Sequence, residues 1–421
     1  MAQPPNIVAA LDVGDHRVLA LIAELDGKGD LVIRGVGIAA STGMRSGQVV
    51  QMKPVVEAIR TAAEEAELMA KVPMERVYAS VAGNFLSGRM TRATITLGSR
   101  EREVALRDLE QLHEAVRRQP LPAGHTVLNV ISHAYALDDQ EGIVDPQQMV
   151  GRHLAVDAYV IACQENPVRT LEKAINAAGL EVEEFLFAPI AAALAALTED
   201  EQRLGAVVVD LGYGITGYAA FSGEKVLAAG CFPLGAQKVN DDLVHRFQTT
   251  AAGAEKAKRE AGTVLLTDVG EEETIAVPTI DGRASHVISR RELCQTIRFR
   301  LEETLGLVFS DLGKQVGQDA SFTGIVLTGG GAHMDGIADL AEEVFFRRSR
   351  LGQLEGVADA TELFNTPELP ARSPAVAVGL LAYGSRSRMP SPPVVTPRRR
   401  KPGLLSRLAR KVMQSKGGGG G

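Results

Sequence analysis

Three cysteines in 421 residues, Cys163, Cys231 and Cys294, are too few and too widely spaced for a disulfide framework or a metal site. Their odd number fits a reducing compartment. No run of 18 or more apolar residues occurs, which excludes a helix spanning a bilayer. The opening MAQPPNIVAALD lacks the basic and apolar regions of a secretory signal, so a cytosolic chain is expected. Acidic residues are absent from one place. From Ser385 to the end there are 10 Lys/Arg and no Asp/Glu, leaving 35 basic against 52 acidic residues in the remainder, a net of −17. An acidic body with a basic tail points that tail at something anionic, lipid or nucleic acid.

The rest of the composition, 45% hydrophobic and 23% charged, suits a folded chain of two to four subdomains. Ile7 to Leu25, IVAALDVGDHRVLALIAEL, reads as strand, glycine turn, strand, with Asp12 near the tip. Ala206 to Phe221, AVVVDLGYGITGYAAF, repeats this plan around Asp210. Such a spaced duplication predicts two similar α/β halves. Ile325 to Phe346 runs an apolar strand into Gly329, Gly330 and Gly331 and then a helix. Further helices are predicted over 54–71, 106–118, 164–178 and 289–316. The last is opened by the capping box Ser289-x-x-Glu292. Residues 83–160 read as short strand-like pieces around one helix, an inserted subdomain. After Tyr383 the composition turns to Pro, Ser and Arg, which predicts a disordered linker.

Glycines let backbone N–H groups approach phosphates, and carboxylates hold the accompanying metal, usually through water. Two Asp-tipped hairpins facing each other across a cleft would supply both. Asp12 and Gly14 on one side, and Asp210, Gly212, Gly214 and Thr216 on the other, are the candidates, with Asp12 and Asp210 toward magnesium. Taken singly, each hairpin is more simply a turn in an α/β protein. Together with the TGGG turn at Thr328 they match the actin–Hsp70–sugar kinase superfamily, in which the third element holds adenosine.

At these residues the chain resembles the bacterial cell-division FtsA family. Carrying the resemblance are Gly124 to Gly151, GHTVLNVISHAYALDDQEGIVDPQQMVG; Ala178 to Phe185; Thr198 to Gly212; and Ile325 to Ile337. The resemblance covers about residues 7–385 and the tail. It implies an α/β fold of actin-like duplicated ribonuclease-H-type halves with a nucleotide cleft and a family-specific insertion. The expected division is a first core over 1–83 and 161–205, an inserted subdomain over 84–160, a second core over 206–242 and 320–384, and an outer subdomain over 243–319. A linker over 385–402, a helix over 403–416 and a glycine tail over 417–421 follow. It further implies ATP or ADP with magnesium, with Glu255 and Lys258 near the adenine and ribose; alone, that pair reads as a solvated helix pair.

The chain departs from the family pattern at the phosphates. Asp15 stands where a hydroxyl residue is usual, followed by His16 and Arg17, and a carboxylate pointing at a triphosphate costs binding unless metal or Arg17 compensates. Tyr213 replaces a glycine, Ile215 a threonine and Gly217 an aspartate, and Ala188-Pro189 stands for Glu-Pro. Removing one preorganised group costs about 10²–10³ in rate, so a degenerate site with at most weak ATPase activity is expected. The competing enzyme reading, an active ATPase or kinase on this fold, is disfavoured by these changes.

In Gly403 to Lys416 the residues Leu404, Leu405, Leu408, Val412 and Met413 fall on one helical face, with Arg407, Arg410 and Lys411 on the other. This describes an interfacial helix on anionic membrane lipid. The alternative, a helix docked on the body, is disfavoured by the linker. Nucleic acid is disfavoured by the apolar face, the absence of aromatics in the segment and the acidic body. The resemblance implies a peripheral protein on the cytoplasmic face of the inner membrane at the division site. There it would polymerise with itself, bind the FtsZ C-terminal peptide through a surface near 243–290, and recruit later division proteins. A pilus-assembly adaptor of the same fold, like PilM, is the second adaptor reading.

Overall fold

The computed structural model describes residues 6–26, 30–223, 225–317, 322–366, 369 and 373–386. Two sheets carry the duplication. In the first, strands run in the order Glu181–Phe187, Arg76–Val81, Ile7–Val13, Arg17–Leu25, Leu31–Ala40 and Val357–Asp359. In the second the order is Lys225–Phe232, Thr216–Ser222, Ala206–Leu211, Ile325–Thr328 and Ser349–Leu351. Each sheet is built on an antiparallel hairpin whose first strand pairs parallel with a later strand. The registers match: Val13 opposes Val18 across the first tip, and Leu211 opposes Thr216 across the second.

The halves meet through two apolar helices, Ala188–Ala196 and Ala375–Arg386. Both are buried along nearly all of their length, as an all-round hydrophobic helix must be. Gly379 lets them cross closely, since a Cβ there would lie 1.7 Å from the Ala191 carbonyl oxygen. The expected second-core boundary at 320–384 is therefore corrected. Beyond Ser349–Leu351 the chain returns to the first half, where Val357 and Asp359 pair with Leu31 and Val32, and the last helix packs on Ile7–Val13. That helix runs to Arg386, with Ser385 buried and its hydroxyl bonded to the Ala382 carbonyl at 2.8 Å. The linker expected from residue 385 thus begins no earlier than 387. The rest of the linker, the amphipathic helix with Leu404 through Met413, and the glycine tail lie outside the described residues.

The insertion has its own core around Leu112, Val130, Leu154 and Val156. Its sheet holds Gln140–Ile143, His125–Leu137, His153–Gln164 and Leu86–Thr96. Three of the expected short pieces are long strands of 11 to 13 residues, while Gln140–Ile143 is short. The strand His125–Leu137 carries two extra residues, His133 opposite the Asp157–Ala158 step and Leu128 opposite Ile161–Ala162, and these bulges break its alternation. In the outer region, helices Ala236–Phe247 and Ala251–Ala261, a hairpin Thr274–Pro278 with Ser285–Ser289, and the long helix Arg290–Val316 pack together. Ser289 caps the long helix by accepting the Glu292 N–H at 3.3 Å. The Glu292 carboxylate pairs instead with Arg246 at 3.3 Å, so half of the expected box forms.

Candidate nucleotide cleft

Between the halves lies a cleft of about 600 Å³. Both hairpin tips face it, each closed by one short backbone bond: Gly14 N–H to the Arg17 carbonyl at 3.0 Å and Gly212 N–H to the Ile215 carbonyl at 2.9 Å. Asp12 and Asp210 sit at corresponding points just below. Each carboxylate is oriented by a hydroxyl on the neighbouring parallel strand. Ser80 Oγ donates to Asp12 Oδ1 at 2.6 Å, and Thr328 Oγ1 donates to Asp210 Oδ1 at 3.1 Å. Burial raises the pKa of both acids, and the adjacent Asp12 charge adds to the effect on Asp210, pushing it up to about 6. The half-buried Arg17 guanidinium lies within electrostatic reach of both carboxylates.

The departures from the family pattern meet one another here. Asp15 Oδ1 accepts the Gly47 N–H at 2.9 Å. Asp15 Oδ2 is buried without a hydrogen-bond partner, and a Cβ on Gly214 would lie 1.7 Å from it. Burial pushes the Asp15 carboxyl above its ordinary range against the backbone N–H groups of Gly47 and Ser46. His16 stacks on Tyr213 with ring centroids 4.6 Å apart. Gly217 abuts Pro189, whose Cγ would be 2.6 Å from a Cβ at that position, so the missing aspartate has no room.

On the other side, Gly329 adopts φ +82° and lies so close to Asp210 Oδ1 and the Leu211 carbonyl that a Cβ would stand 2.6 Å from each. Lys258 is buried and pairs with Glu255 Oε2 at 2.6 Å, which also accepts from Asn240 Nδ2 at 2.6 Å. Burial would raise the Glu255 pKa, but these two donors hold it low. The pair is thus a fixed element of the wall, unlike a solvated surface pair.

Of the residues singled out in the sequence, Asp12, Gly14, Arg17, Asp210, Gly212, Gly214, Glu255, Lys258, Gly329, Gly330 and Gly331 line the cleft. Thr216 does not. It is buried, and its hydroxyl donates to the Leu234 carbonyl at 2.6 Å, because strand alternation turns Gly217 to the cleft instead. Sequence reasoning missed Ser80 and Ser373. The hairpin duplication points to Ser80 as the counterpart of Thr328. No comparable signal marks Ser373, which faces the cleft with its hydroxyl buried and unpartnered.

Comparison with known proteins agrees with this architecture. A family model described as "Cell division protein FtsA" matches residues 207–380, and one described as "SHS2 domain inserted in FTSA" matches residues 83–162. The Pseudomonas aeruginosa protein named Cell division protein FtsA is 32% identical over 382 residues, covering 91% of this chain and 90% of its own. The chain belongs to the FtsA family. The Escherichia coli K12 FtsA is 32% identical over 391 residues, 91% of each chain, and the Bacillus subtilis one 28% over 346 residues, 82% and 78%. Among solved structures, a PilM–PilN type IV pilus biogenesis complex superposes with TM-score 0.60 at 19% identity, covering 90% of this chain and 98% of its own. MreB5 of Spiroplasma citri bound to ADP does so with TM-score 0.54 at 14% identity, covering 91% and 98%. The fold is actin-like.

A magnesium-bridged triphosphate would need open space between the hairpin tips and carboxylates free to meet the metal. Asp15 fills the gap between the hairpin tips, and Arg17 already faces the two carboxylates that would attract a metal. Among the described residues no group of three or more His, Cys, Asp or Glu is placed to hold a metal ion.

Proposed function

We propose that this chain is a cell-division adaptor. Its body self-associates in actin-like fashion, captures the C-terminal peptide of the tubulin-like protein FtsZ, and is held on the cytoplasmic face of the cell membrane by the helix over 403–416. Later division proteins gather on the assembled body. The observation that carries this reading is one chain joining the family's inserted domain, over 83–162, to a wholly basic amphipathic tail.

The energetics support reversible attachment. Half-burial of five large apolar side chains supplies roughly 4–6 kcal/mol. Each basic residue near an anionic leaflet adds about 1 kcal/mol, before ordering costs. One foot therefore holds weakly, and several on a polymer hold firmly by avidity. For the FtsZ peptide, the hairpin over 274–289 offers exposed Ile280 and Val287 beside Arg283, in keeping with the expected surface near 243–290. In the cleft we read a bound adenine compound that acts as a ligand and is not turned over.

Titration of a fluorescent FtsZ C-terminal peptide tests the adaptor reading. Saturable binding that is lost in an Ile280→Asp/Val287→Asp double variant supports it. Preference for a pilus inner-membrane peptide would favour the second adaptor reading, to which the fold likeness of PilM lends support.

A further inference from the structure

We propose that the cleft is built for adenosine or adenosine monophosphate and rejects magnesium-bound ATP, because Asp15 occupies the place of the terminal phosphate. This rests on the reading of the cleft as an adenine-binding site and narrows it to a ligand class.

A terminal phosphate needs open space between the hairpin tips and donors that converge there. Here that space holds a carboxylate. Asp15 is anchored on the first half through the Gly47 N–H, and its Oδ2 lies against Gly214 on the second. The His16–Tyr213 stack bridges the same two tips. Two of the tip amides, on Gly14 and Gly212, are satisfied within their own turns. The charge is also unfavourable. Asp12, Asp15 and Asp210 all line the part of the cleft bounded by the hairpin tips, where a polyphosphate would bring further negative charge; Arg17 lies within electrostatic reach of Asp12 and Asp210, while Lys258, the other cation fixed in the wall, is paired with Glu255.

The nucleoside end is different in kind. The Glu255–Lys258 pair is fixed, Gly329 keeps the wall free of side chain, and Gly330 leaves open space beside Ser373, whose Oγ would be 3.8 Å from a Cβ at Gly330. Ser373 is 7% exposed and lines the cleft, and its hydroxyl is buried without a partner. A buried hydroxyl without a partner is costly unless a ligand or water completes it, and a ribose hydroxyl is the matching group. The two ends together describe a pocket complete for a nucleoside and closed to a phosphate chain.

Calorimetric titration of the full chain with adenosine, adenosine monophosphate, ATP, and ATP with magnesium tests this. The wild type should bind adenosine or the monophosphate at least about tenfold more tightly than magnesium ATP. Asp15→Thr should raise magnesium-ATP affinity by about tenfold or more and leave adenosine affinity within about twofold. Ser373→Ala should weaken adenosine with no gain for ATP. The wild-type ranking needs no variant to fold, so equal or tighter binding of magnesium ATP by the wild type overturns the proposal outright, as does indifference of ATP to Asp15→Thr in a folded variant. If no adenine compound binds either protein, the underlying reading of the cleft fails, and the proposal with it.

Discussion

Tyr159 and Gln315 join the inserted subdomain to the long outer helix, the tyrosine hydroxyl donating to Gln315 Oε1 at 3.0 Å. The Tyr159 hydroxyl oxygen also accepts the Ala229 N–H at 2.8 Å, and Gln315 Nε2 donates onward to the Tyr218 hydroxyl at 2.8 Å. Tyr218 in turn donates to Asp311. One network, buried at Tyr159 and Tyr218 and reaching the surface at Gln315, thus ties three parts of the molecule, and burial raises the pKa of the Tyr159 hydroxyl.

Replacing Tyr159 by Phe leaves the Ala229 N–H and Gln315 without their shared partner. A loss of about 1–3 kcal/mol follows from an unsatisfied buried donor. Urea unfolding should show a lower midpoint at unchanged slope. An unaltered midpoint would mean the network does not hold the subdomains together.

Gly379 is the crossing point of the two central helices. Alanine there places its Cβ against the Ala191 carbonyl, so the helices must separate. Overpacking of this kind costs roughly 1–3 kcal/mol, occasionally more. Thermal unfolding of Gly379→Ala should begin at a clearly lower temperature than that of Gly384→Ala, where the obstructing neighbours are the Tyr78 and Val8 side chains. Equal effects would contradict the close helix crossing.

Glu184 gives a pH signature. It is buried, accepts from the Tyr383 hydroxyl at 2.8 Å, and burial lifts its pKa to about 7 despite that bond and the charge of Arg117. The folded pKa lies above the ordinary value of 4.5. Its stabilising contribution is therefore complete below pH 4.5 and is lost as pH rises through about 7. Glu184→Gln should gain on the wild type by on the order of 1–3 kcal/mol between pH 5 and pH 8. Parallel stability curves for the two proteins across that window would refute the assignment.

The sequence made the hairpins legible because aspartate, glycine and apolar alternation recur at matched spacing. TGGG, and the family resemblance that singles out Glu255 and Lys258, pointed to residues that line the cleft. The contact between the two hairpin tips was not legible. Asp15 and Tyr213 each read as a local departure, and only the fold brings Asp15 onto Gly214 and His16 onto Tyr213. The return of residues 357–386 to the first half was hidden for a similar reason. A three-residue strand such as Val357–Asp359 carries no periodic signal, and the apolar helix after it fits either half. At Glu292 the local capping signal was outweighed by Arg246, a partner distant in the chain.

The central claim is that a folded actin-like body is carried to the membrane by its tail. The most direct test is co-sedimentation with anionic vesicles, comparing the full chain with one ending at Arg386, where the last described helix ends. The account predicts that the full chain pellets, that high salt weakens it by screening the basic residues, and that the shortened chain stays in solution while unfolding at the same temperature. Equal pelleting of both chains, or of neither, would contradict it.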